Sequence, residues 1–85
     1  MLVLQSQGVH RNHLQGIVEI LDVCMKPKTK VQILAETGTS MRHLHFCLKF
    51  LLKQKLVRCH YRKMTYMTAE KGLGYLQFHQ QFPQD

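Results

Sequence analysis

At 85 residues the chain has the length for one domain and one modest core, which excludes a multi-domain enzyme built around a roomy cleft. Apolar residues make up 45% and charged residues 20%, the balance of a folding domain and not of a disordered tail. Twelve Lys and Arg against five Asp and Glu give a formal charge of +7, so a polyanion, either nucleic acid or an anionic membrane surface, is a better partner than a basic small molecule.

Residues 1–9 read as an N-terminal extension whose apolar start is too short for a signal h-region. The domain proper is expected over 10–82, with a tail at 83–85. Leu14, Ile17, Val18, Leu21, Cys24 and Met25 follow the i, i+3, i+4, i+7 spacing of a helical stripe, with Gln15, Glu19 and Asp22 facing away. Asn12 suits its N-cap, and Pro27 disfavours helical geometry at Lys26. Thr29 and Gln32 have capping-box spacing for a second, short helix carrying Val31, Ile33, Leu34 and Ala35, which Gly38 can end. Ser40 can cap a third and longest helix, with Met41, Leu44, Cys47, Leu48, Leu51 and Leu52 on one face.

After Lys55, Leu56, Val57, Cys59 and Tyr61, then Met64, Tyr66 and Met67, predict two short strands joined by a turn that holds Arg62 and Lys63. That turn lacks the Asn-Gly or Gly residues of two-residue hairpins. Thr68 can cap a last helix carrying Leu73, Tyr75, Leu76, Phe78, His79 and Phe82, which Gly72 and Gly74 weaken by roughly 1 kcal/mol each if interior. The fold class is therefore mainly α with a small β-hairpin, an α+β arrangement.

Charge is unevenly distributed along this order. The acids are Glu19, Asp22, Glu36, Glu70 and Asp85, so residues 37–69 contain none, while Arg42, Lys49, Lys53, Lys55, Arg58, Arg62 and Lys63 all fall there. His43, His45 and His60 lie in the same stretch and can add charge beside an anion. The face of the third helix opposite its apolar stripe reads Arg42, His45, Phe46, Lys49, Phe50 and Lys53. Cations of this kind reach phosphates or guanine edges, and an aromatic packs on sugars, thymine methyls or another protein.

Three helices, a hairpin and a helix follow the order of a winged helix-turn-helix. Residues 28–76 resemble the winged-helix domains of small archaeal DNA-binding regulators and chromatin proteins. The resemblance rests on T-K-V-Q-I-L-A at 29–35, L-x-x-x-L-x-x-L from Leu44, K-L-V at 55–57 and M-T-A-E-K-G at 67–72. It implies double-stranded DNA as partner, with the third helix in the major groove presenting Arg42, His43, His45 and Phe46, and the wing-tip pair Arg62 and Lys63 on phosphate or in the minor groove. Lys28, Lys30, Lys49, Lys53 and Arg58 complete the expected DNA-contacting set. It further implies a cytoplasmic, nucleoid-associated homodimer, whose interface would use the aromatic surplus of the last helix: Tyr75, Phe78, His79 and Phe82. The chain departs from the pattern at Lys55, where that family commonly has a left-handed glycine and a lysine costs about 1 kcal/mol.

Other classes are weaker. Three cysteines without paired spacing make no closed disulfide framework and suit a reducing, intracellular setting. His43, His45, Cys47, Cys59 and His60 offer neither CxxC nor HxxxH spacing for zinc, so no metal or cofactor is expected. A glycine-rich phosphate loop, a nucleophile elbow and paired carboxylates are all missing, so no catalysis and no small-molecule ligand is expected either. No apolar run approaches the ~18 residues of a spanning helix, and the cations do not line one amphipathic surface helix, so no membrane partner is expected. The serious rival is a protein-interaction winged helix in which Phe46, Phe50 and Phe82 dock another chain.

Overall fold

The structure, a computed structural model, describes residues 13–81. The expected extension at 1–9, the Asn12 cap, Phe82 and the tail at 83–85 lie outside the described residues. Within them the chain runs α1 (His13–Val23), α2 (Lys30–Thr37), α3 (Met41–Lys53), β1 (Val57–His60), β2 (Thr65–Thr68) and α4 (Glu70–Gln81), a mainly helical α+β arrangement with one antiparallel hairpin.

The inward stripe of α1 is Ile17, Ile20 and Leu21, with Cys24 just beyond the helix, all buried. Ile20, only 1% exposed, is missing from the expected stripe, and Met25, placed on it, is 46% exposed. The helix ends at Val23, so the chain has left helical geometry before Met25 and the four-residue spacing from Leu21 no longer points inward. A second difference follows Pro27. Lys28 forms a one-residue antiparallel bridge with Tyr66: its N–H donates to the Tyr66 carbonyl at 2.9 Å, and the Tyr66 N–H donates to its carbonyl at 2.7 Å. The hairpin is thereby tied to the connection between α1 and α2.

Local capping builds the helix pair that follows. Thr29 Oγ1 accepts from the Gln32 N–H at 3.2 Å and Gln32 Oε1 accepts from the Thr29 N–H at 2.8 Å, the reciprocal box its spacing predicts. Gly38, left-handed at φ 71°, donates its N–H to the Leu34 carbonyl at 2.8 Å and ends α2. Ser40 Oγ accepts from the His43 N–H at 3.1 Å and starts α3. From α2 only Ile33 is buried; Val31, expected on the apolar side, points to solvent at 71% exposure. From α3, Leu44, Cys47, Leu48 and Leu51 are buried, whereas Met41 at the first turn is exposed.

The strands are shorter than the apolar pattern suggests, because Tyr61 and Met64 belong to a four-residue loop with Arg62 and Lys63. The register pairs Val57 with Thr68, Arg58 with Met67, Cys59 with Tyr66 and His60 with Thr65. Val57, Tyr66 and Thr68 turn inward, and Arg58, His60 and Met67 outward. The loop closes without glycine: Met64 adopts φ 51°, and the Lys63 N–H donates to His60 Nδ1 at 3.4 Å. Lys55 is left-handed at φ 62°, the conformation the winged-helix resemblance implies at this position.

Thr68 does not cap α4. Its hydroxyl donates to the Leu21 carbonyl at 2.7 Å and its N–H to the Cys24 carbonyl at 2.8 Å, so it joins β2 to the end of α1 and is itself buried. α4 packs on that junction through Leu76 and through Gly72, where an added Cβ would lie 2.1 Å from the Leu56 carbonyl oxygen.

Candidate nucleic-acid interface

Burial of Leu44, Cys47, Leu48 and Leu51 decides which way α3 faces. At about 100° per residue the opposite side must point outward, and Arg42, His45, Phe46, Lys49, Phe50 and Lys53 are all exposed. From Arg42 to Lys53 the row rises roughly 16 Å along the helix axis. An α-helix with an exposed cationic face is of a size that a major groove about 12 Å wide admits.

His43 takes another direction. It is half-buried, with Nε2 3.5 Å from Cys47 Sγ, and it occupies the space that a side chain at position 16 would need: a Cβ on Gly16 would lie 2.6 Å from that nitrogen. Its position one turn before Cys47 puts it toward α1, so it does not join the outward row.

α2 adds one cation to the row. Lys30 Nζ lies 3.3 Å from His45 Nε2 and 6.0 Å from the centre of the Tyr66 ring, which brings α2, α3 and the hairpin together at one point. Lys28 is instead committed to Glu36 at 2.7 Å, a half-exposed ion pair that neutralises it. On the hairpin, Arg58 stands on the outward face opposite Met67, and Arg62 and Lys63 are exposed in the loop beside Tyr61, which is 80% exposed. No acid of the 37–69 stretch interrupts these surfaces.

On α4, Tyr75 packs partly against the core and Phe78 is 56% exposed; the side chain of His79 lies outside the described residues. Tyr75 and Phe78 are thus the two expected interface residues whose side chains the structure describes. Lys26, Lys55 and Lys71 stand outside the expected binding set, and all three are exposed.

Burial also acts on the titratable groups of the core. Burial pushes the Cys24 thiol up to about 12 and raises that of Cys47. His43 Nε2 and Cys47 Sγ thus meet inside the fold, where burial favours the protonated thiol. The Tyr66 hydroxyl is raised by burial first and then by the neighbouring Cys59. Among the described residues no three His, Cys, Asp or Glu side chains converge on a point, and no helix is long and apolar enough to cross a membrane. Compared with protein-family models, with curated proteins and with solved structures, the chain matches none of them.

Proposed function

We propose that the chain is a winged helix-turn-helix that binds double-stranded DNA, as a small regulator or chromatin-like factor, with α3 in the major groove and the hairpin along the backbone. The observation that carries this reading is the outward face of α3: Arg42, His45, Phe46, Lys49 and Lys53 are exposed side by side on a helix free of acids. Arg42, at the first turn, is the residue suited to a guanine edge, while Lys49 and Lys53 neutralise phosphates. The bridge from Lys28 to Tyr66 favours the same reading because it fixes the hairpin relative to the helix pair, so both can meet one duplex.

Titration of a short duplex against the Arg42→Ala/Lys49→Ala variant tests it. Both side chains are exposed, so thermal melting should be unchanged while low-salt affinity falls about tenfold or more. With about six cations on phosphates, the parent's log–log salt slope should be roughly −5, and the double variant's shallower by one to two. Unchanged titration in the variant overturns the proposal. The exposure of Phe46 and Phe50, 53% and 39%, favours a second reading, docking on a protein partner through the same face; its mark would be binding that persists when salt is raised.

A further inference from the structure

Among the described residues, two other than glycine hold left-handed backbone, Met64 and Lys55. Met64 closes the hairpin loop. Lys55 links α3 to β1 at φ 62°, where glycine meets no steric penalty and a side chain does. Its side chain is exposed, so no burial offsets that cost. Backbone held in an unfavourable region without a packing return directs attention to what the side chain does.

Lys55 lines a cleft of about 380 Å³ between the end of α3, the start of β1 and the start of α4. Leu52 and Val57 contribute an apolar floor, and Lys55, Arg58 and Lys71 stand around it with Glu70 as the one acid. None of these four charged groups forms an ion pair with a described residue. Three unpaired cations against one carboxylate leave the cleft positive, and its volume falls in the range of small-ligand sites.

We propose that this cleft is a phosphate-binding site, in which Lys55, Arg58 and Lys71 hold a phosphate monoester or diester. A phosphate monoester offers three terminal oxygens, one for each cation, and a diester two, each with lone pairs for more than one donor; Arg58 can fork onto two of them and the lysines act as point charges. The source is either a free phosphate compound or a phosphodiester of bound DNA. The DNA source rests on the DNA-binding reading and the free-phosphate source does not; Arg42 and Lys49 do not line the cleft, so their titration and that of Lys55 fail separately.

Lys55→Gly is the test, because it removes the cation and relieves the backbone together. It should melt no lower than the parent, and up to roughly 4 °C higher. It should also bind about fivefold more weakly to one or both of two probes: inorganic pyrophosphate, followed by the amide shifts of Arg58 and Lys71, and a short random-sequence duplex at fixed salt. Lys26→Ala removes the same charge from an exposed site outside the cleft and should bind both probes like the parent. Loss confined to pyrophosphate assigns a free phosphate compound, and loss confined to the duplex assigns the DNA backbone. Parent affinity for both probes in Lys55→Gly, or an equal loss in Lys26→Ala, overturns the proposal. If Lys55→Gly melts lower, Lys71→Ala is judged on the same two affinities.

Discussion

Gly72 and Gly74 sit two residues apart in α4, equal by helix propensity and opposite in their surroundings. A Cβ at 72 would lie 2.1 Å from the Leu56 carbonyl oxygen and 2.8 Å from Thr68 Cγ2; a Cβ at 74 would meet nothing within 4 Å. The first obstacle is backbone, which cannot rotate aside, so Gly72→Ala must push α4 off the start of β1. We expect it to cost roughly 2 kcal/mol or more, and Gly74→Ala to gain about 0.5–1 kcal/mol by lowering the entropy of the unfolded chain. Urea denaturation midpoints moving the same way in both variants would contradict this packing. The sequence could not separate the two glycines, because the partner of Gly72 comes from sixteen residues upstream. His43 is similar: its spacing on α3 was readable, but its direction is set by the gap left at Gly16 on another helix. Arg42, Lys49 and Lys53 were legible because exposure on a helix follows from the apolar residues of the same helix.

Element by element, the boundaries fixed by chemistry within three or four residues were readable, and those fixed across the fold were not. The Thr29 and Gln32 box, Gly38 and Ser40 all act locally and sit where their spacing places them. The Lys28 bridge and the role of Thr68 depend on partners far along the chain. Thr68 shows the consequence. An exposed threonine before a helix is a natural cap, but here β2 runs under α1, where the Leu21 carbonyl needs a donor. Thr68→Val keeps the shape and removes that donor, leaving a buried carbonyl unsatisfied, so stability should fall by about 1–3 kcal/mol. The same variant should not change the end of β2, whose N–H still donates to Cys24. Amide exchange checks both points: protection should drop at the end of α1, while the Thr68 N–H stays protected. An intact denaturation midpoint would mean the hydroxyl is not needed there.

At the scale of the molecule, the stretch from α3 through the hairpin carries cations outside and neutral groups inside, and the two respond differently to alkali. Cys24, fully buried, has its thiol pushed up to about 12, and burial also raises Cys47 and Tyr66. In the unfolded chain a thiol ionises near its ordinary value of about 9, so above that pH the unfolded state sheds protons that the folded state keeps. Stability therefore holds below about pH 9 and declines as pH rises toward 12. Cys47 and Tyr66, also raised by burial, act in the same sense, so the decline alone does not identify its source. Cys24→Ala does. The variant should be less stable than the parent at neutral pH, having lost a buried sulfur, yet its stability should fall less steeply from pH 9 to 11. Urea midpoints measured across that range give the slope directly, and parallel curves for parent and variant would show that another group governs the alkaline loss.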